Sequence, residues 1–195
     1  MDATFDALVE EAERVPIRGW DFRWLSGRAS EERPSWRYFD RVVERASPVS
    51  TLLELQAGAG GMIGNLPELP GLSVATEGFP PSVAVAGPRL RERGAHLVVT
   101  APEPSGLPFA GGTFELVISR HPVEVWWDEI ARVLRPGGTY FAQHVGPYSL
   151  RALSEFLMGP EKYRERLRSL DELMRRTGGF ETTGSRMLVE ATKPI

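Results

Sequence analysis

The run Leu52-Leu53-Glu54-Leu55-Gln56-Ala57-Gly58-Ala59-Gly60-Gly61 passes from apolar residues into small ones, as a strand does where the chain turns sharply beneath a ligand. Glycine suits both demands because it lacks Cβ. At the carboxyl end of a strand in a doubly wound sheet, such a turn is the usual seat of a nucleotide-like ligand. Glu77 closes the next apolar run, Val74-Ala75-Thr76-Glu77. It lies about 20 residues past the glycine turn, where a carboxylate can accept both ribose hydroxyls. Each feature has a plainer reading, a Gly-rich strand-to-helix turn and a solvated loop acid. Together, and in this order, they favour an adenosine site.

Two later segments continue the pattern. One is Leu107-Pro108-Phe109-Ala110-Gly111-Gly112-Thr113-Phe114-Glu115-Leu116-Val117-Ile118-Ser119-Arg120-His121, and the other is Glu129-Ile130-Ala131-Arg132-Val133-Leu134-Arg135-Pro136-Gly137-Gly138. Pro136 forbids helix continuation, and Gly137 and Gly138 permit the reversal before Thr139–Val145. The set resembles the class I, Rossmann-like methyltransferases that depend on S-adenosylmethionine, and within them the type 11-like group. These typically show a leucine-proline-phenylalanine loop, a strand reading phenylalanine-aspartate-leucine-valine, and a helix ending in leucine-arginine-proline-glycine-glycine. The resemblance covers roughly residues 51–145.

It implies S-adenosylmethionine as cofactor, with Glu54, Gln56, Ala57, Gly58 and Gly60 in the glycine-rich loop and Glu77 as the ribose acid. By the same resemblance Glu103 falls at the adenine-edge acid, Gly78 and Phe79 flank the adenine, and Ser119, Arg120 and His121 close over the methionine end. The sequence departs from the family at two of these positions. Gln56 stands where glycine is usual, either bonding the methionine carboxylate or altering the site, and Glu103 stands where aspartate or asparagine is more common. Pro102 and Pro104 stiffen the loop around Glu103.

Methyl transfer by in-line displacement needs mainly positioning, with a base only if the acceptor must lose a proton. His121, just past the fourth apolar run, and His144, near the end of the fifth, are the candidate bases; a structural role is the alternative for each. Trp20, Trp24 and Trp126, with Trp36, Tyr38 and Trp127, are candidates to roof an apolar acceptor pocket, or else they form core beneath a helical cap. The sequence suggests no metal site.

The elements that must hold these residues follow from periodicity. Thr51–Leu55, Leu72–Thr76, His96–Thr100, Phe114–Ser119 and Thr139–Val145 read as buried strands, with helical candidates at 82–93 and 125–134. Alternation of this kind implies a mostly parallel sheet covered on both faces, a three-layer Rossmann-like α/β sandwich. Residues 1–47 read as an N-terminal helical cap, 48–147 as the cofactor-binding core, and 148–195 as C-terminal helices and a last strand, all in one domain. Between the first two strands, Pro67 and Pro70 leave room for about one helical turn. The C-terminal sheet edge is abbreviated: either Gly179–Thr183 forms a stunted sixth strand, or Arg186–Thr192 pairs directly beside strand five, the reading favoured here.

With 195 residues and 42% hydrophobic content, the chain suits one compact domain. Its formal net charge of -3 and scattered basic residues make nucleic acid an unfavoured partner. The absence of cysteine excludes thiolate metal sites and cysteine nucleophiles. No apolar stretch reaches the ~20 residues of a membrane span, so a cytoplasmic protein with no membrane partner is expected. A small-molecule acceptor is the leading partner, and the truncated sheet edge leaves room for a homodimer. Two other readings stand beside methyl transfer: a catalytically inactive descendant that binds the cofactor or a partner protein, and a nicotinamide-dependent Rossmann oxidoreductase. The leucine-proline-phenylalanine and arginine-proline-glycine-glycine segments oppose the latter.

Overall fold

The computed structural model describes residues 4–15, 23–100, 106–158 and 163–195. Its helices are α1 (Phe5–Arg14), α2 (Tyr38–Ala46), α3 (Gly61–Asn65), α4 (Pro80–Glu92), α5 (Trp127–Val133), α6 (Arg151–Leu157) and α7 (Tyr163–Thr177). Its strands are β1 (Thr51–Leu55), β2 (Leu72–Glu77), β3 (His96–Val99), β4 (Phe114–Arg120), β5 (Leu134–Val145) and β6 (Arg186–Thr192). The chain divides into two compact units, the described residues of Met1–Pro16 with Val145–Arg186, and those of Ile17–His144 with Met187–Ile195.

The second unit carries the sheet, in the order β3-β2-β1-β4-β5-β6. β1 pairs in parallel with both β2 and β4, which places it at the centre of the reversal in strand order. β3 and β5 extend the parallel set on either side. β1, β2 and β4 are buried along nearly their whole length, which is why their sequences read as continuous apolar runs without alternation.

Two buried clusters cover the two faces. On one, Val42 of α2, Ile63 of α3 and Leu90 of α4 pack on Leu52, Leu116, Ile118 and Phe141. On the other, Ile130 and Val133 of α5 pack on Leu53, Leu55, Val117 and Tyr140. The layering is the expected α/β sandwich.

One detail differs from the expected strands and another agrees with the favoured C-terminal alternative. β5 begins at Leu134, which pairs with Phe114, and the ladder resumes with Thr139 opposite Leu116, so Pro136-Gly137-Gly138 form an irregularity within the strand. Gly138 is required there, because a Cβ would sit 2.9 Å from the Arg135 carbonyl oxygen. At the other edge of β5, the Gly137 N–H donates to the Lys193 carbonyl and the Lys193 N–H donates to the Gly138 carbonyl. β6 therefore lies directly beside β5, and residues 179–185 form no strand, which settles the two C-terminal alternatives.

In the first unit, the Thr4 hydroxyl caps α1 by accepting from the Ala7 N–H at 3.3 Å. Asp6 of α1 meets Arg164 and Arg168 of α7 at 2.9 and 3.3 Å, and the Arg168 guanidinium lies 4.6 Å from the Phe5 ring centre. No helix among the described residues is long and apolar enough to cross a membrane.

Candidate functional site

The turn after β1 is built from left-handed backbone, with φ of 53° at Gln56, 57° at Gly58 and 70° at Gly60. At Gly60 space also matters, since a Cβ would come 3.1 Å from Cγ of Leu90. Glu77 at the end of β2 fastens this turn. Its Oε2 accepts from the Gly58 N–H at 2.6 Å, and its Oε1 accepts from the N–H groups of Gly78 and Phe79, both at 2.8 Å. A carboxylate offers about four lone-pair sites, so among the described residues one remains, on Oε2. Next to it Phe79, preceding α4, is 48% exposed.

Glu54 sits beneath the turn. It is 2% exposed and its Oε2 accepts from the Ile63 N–H at 3.1 Å. Burial pushes its carboxyl up to about 8, with the Ile63 bond opposing the shift. Gln56 points the other way, toward the loop after β4. Its Nε2 donates to the Glu124 carbonyl and its Oε1 accepts from the Val123 N–H, both at 2.7 Å. These bonds offset the strain of a non-glycine residue at positive φ, and they occupy the amide at both atoms. The Ala57 N–H donates to the Thr76 carbonyl at 2.9 Å, closing the turn onto β2.

At the end of β4, Ser119 is 1% exposed and its hydroxyl donates to the Leu55 carbonyl at 3.3 Å, while Arg120 is exposed. His121 takes a φ of 56°, with its N–H donating to the Gln143 carbonyl at 2.7 Å. Its Nε2 lies 2.8 Å from the Gln143 side-chain nitrogen, and the Gln143 oxygen accepts from the Trp36 indole N–H at 2.9 Å. The Tyr38 hydroxyl lies 2.9 Å from the Ser119 carbonyl and 3.0 Å from that of Phe141, and burial first of all raises its pKa well above the usual value.

His144 belongs to a different group. Its Nε2 is 3.0 Å from the Tyr140 hydroxyl, and the Trp127 ring stands edge-on to Tyr140 at 5.6 Å. Burial lowers the His144 pKa and pushes the Tyr140 hydroxyl up to about 12. Gln143 and His144 are successive strand residues and so face opposite sides of the sheet. The two candidate bases therefore stand on opposite faces, each with its own polar partner.

The leucine-proline-phenylalanine segment is tied to α5. Arg132 donates to the carbonyls of Leu107 and Phe109 at 2.8 and 2.7 Å, and Glu129 accepts from the Leu107 N–H. The Arg132 bond, with that of Leu107, lowers the Glu129 carboxyl to about 2. Trp126 packs partly buried on the α5 side of the sheet, and its indole N–H has no partner among the described residues. Trp24 lies in a short 3-10 turn, with the Arg28 guanidinium 4.7 Å from its ring centre. Trp20 and Glu103 lie outside the described residues.

Sequence reasoning missed Gln143 and Tyr140. The signal for Gln143 was present, since it is a polar residue directly following the apolar run Tyr140-Phe141-Ala142.

Residues 53–142 match the family of methyltransferase domains. No curated protein matches the chain in sequence. Among solved structures, the chain is similar to the 4+2 cyclase SpnF, 18% identical over 85% of each chain with a TM-score of 0.56. It is similar also to a protein of Bacillus halodurans assigned as a methyltransferase, 15% identical over 80% of this chain and 99% of that one, TM-score 0.55. A third is the YcgJ protein of Bacillus subtilis, 22% identical over 62% of this chain and 56% of that one, TM-score 0.50. At such identities the likeness establishes the Rossmann-like fold.

Proposed function

We propose that the chain, whose residues 53–142 match the family of methyltransferase domains, is an S-adenosylmethionine-dependent methyltransferase acting on a small molecule. The observation that supports its cofactor site best is the junction of Glu77 with Gly58, which brings the β1 and β2 turns together at the carboxyl edge of the sheet. The residues fit an adenosine. The left-handed backbone at Gly58 and Gly60 makes a tight turn, the remaining lone pair on Glu77 Oε2 suits a ribose hydroxyl, and the exposed Phe79 suits stacking on a base. Gly78 flanks that ring, while Glu54 supports the turn from below and Gln56 holds its far side to the loop after β4.

When bound, S-adenosylmethionine supplies a methyl group on a sulfonium. The chain's own contribution is then largely positioning, through Ser119, Arg120 and His121 at the end of β4. For an acceptor that must lose a proton, His144 is the candidate base, because burial lowers its pKa, favouring the neutral imidazole, and the Tyr140 hydroxyl lies 3.0 Å from its Nε2. The absence of a basic stripe and the aromatic side chains of Trp24, Trp126 and Trp127 favour a small apolar acceptor over nucleic acid.

A thermal-shift comparison tests the cofactor reading. S-adenosylhomocysteine is expected to raise the melting temperature in a concentration-dependent way, while NAD and NADP leave it unchanged. Stabilisation by a nicotinamide cofactor instead would overturn it.

A further inference from the structure

At the end of β4, His121 is joined to two residues that the cofactor site does not use. An indole N–H is only ever a donor. Trp36 at 2.9 Å therefore fixes the Gln143 atom facing it as the carbonyl oxygen, and the other end of the amide, the NH2 group, must face His121. An NH2 group only donates, so His121 Nε2, 2.8 Å away, must accept. A neutral imidazole with an acceptor at Nε2 carries its proton on Nδ1.

We propose that Trp36 and Gln143 are positioning residues that hold His121 in the neutral, Nδ1-protonated tautomer and keep its Nε2 lone pair engaged, so that His121 orients groups at the site and does not abstract a proton at Nε2.

Three features converge on this arrangement. Gln143 is 5% exposed, so its amide is shielded from competing water. The main chain adds a second link between the same residues, from the His121 N–H to the Gln143 carbonyl at 2.7 Å. His121 also occupies a left-handed conformation that a non-glycine residue adopts only where its surroundings enforce it. Gln56 completes the enforcement two residues on, by gripping Val123 and Glu124. The segment after β4 is thus held by two glutamine amides, one from β5 and one from the turn after β1.

The inference rests on hydrogen-bond polarity and holds whether or not the chain transfers a methyl group, so its failure is separable from failure of the cofactor reading. The test is long-range proton–nitrogen correlation NMR on 15N-histidine-labelled protein at pH 8, where an ordinary imidazole is neutral. The chain has three histidines, and the His121 signals are those lost in His121→Asn. The expected result is a pyrrole-type Nδ1 and a pyridine-type Nε2. Gln143→Glu replaces the donor by an acceptor and is expected to move a proton onto Nε2. Trp36→Phe frees the amide to turn over and is expected to give a mixture of tautomers. A wild-type His121 protonated on Nε2 would overturn the proposal without any variant. An Nε2 still unprotonated in Gln143→Glu would overturn the role of Gln143, and a single unchanged tautomer in Trp36→Phe the role of Trp36.

Discussion

The Glu77 carboxylate stands 2.6 Å from the Gly58 amide nitrogen and binds the two turns that follow β1 and β2 into one unit. With the Gly78 and Phe79 amides on its other oxygen, the same side chain satisfies three backbone donors, and Glu77 is only 8% exposed. Charge-assisted bonds of this kind contribute about 1.5–3 kcal/mol each and are not additive. Glu77→Ala is expected to destabilise the fold by about 2 kcal/mol or more in urea unfolding, beyond any effect on a ligand. A change below about 0.5 kcal/mol would show that the three bonds do not hold the turns.

Glu54 makes stability depend on pH. Its carboxyl is raised from 4.5 to about 8 in the folded protein, chiefly by burial. Between those values the folded chain keeps a proton that the unfolded chain has released, so stability falls as pH rises through this window. Glu54→Gln keeps an acceptor for the Ile63 N–H and removes the titration. We expect it to flatten that slope and to exceed the wild type above pH 8 by at least about 1 kcal/mol in chemical denaturation. A variant that retains the full slope would assign the pH dependence to another group.

At Gln56, backbone strain and side-chain bonding oppose each other. Glycine at φ 53° relieves strain of about 1 kcal/mol but forfeits two hydrogen bonds of about 0.5–1.5 kcal/mol each. Gln56→Gly should therefore change global stability little, while faster amide hydrogen exchange appears at Val123. Gln56→Ala loses the bonds and keeps the strain, so it should cost about 1–3 kcal/mol. Equal exchange at Val123 in wild type and both variants would contradict the strap.

Arg45 joins α2 to β6. Its guanidinium meets the Glu190 carboxylate with two bonds, at 2.9 and 2.8 Å, and lies 3.9 Å from the Phe141 ring centre. The pair is partly exposed, which limits its value. Arg45→Ala is expected to cost about 1 kcal/mol at low salt and less at high salt, read by thermal unfolding. Insensitivity to salt would assign the loss to packing on Phe141.

The sheet was legible because its strands are short apolar runs between proline and glycine breaks, and burial on both faces gives a parallel sheet that texture. The β1 turn and Glu77 were legible because glycines mark positive φ and the carboxylate ends an apolar strand. What spacing does not encode is the partner of a polar side chain. Gln56 reads as a residue misplaced in a glycine loop, and only the fold brings Val123 and Glu124 to its amide. Likewise His121 and His144 look equivalent at two strand ends, yet the pleat of β5 sends Gln143 and His144 to opposite faces and gives each histidine a separate setting. The start of β5 at Leu134 was hidden because Pro136-Gly137-Gly138 has the chemistry of a turn, which here becomes an irregularity inside the strand.

Titration calorimetry of S-adenosylhomocysteine into the wild type and Phe79→Ala tests whether the turns after β1 and β2 bind an adenosine. Phe79 is 48% exposed, so the variant is expected to fold normally. Saturable one-to-one binding to the wild type is expected, with an affinity lower by roughly tenfold or more in the variant, as loss of base stacking worth about 1–3 kcal/mol requires. No binding at high ligand concentration, or equal affinity in the two proteins, would contradict the adenosine site proposed between Gly58, Glu77 and Phe79.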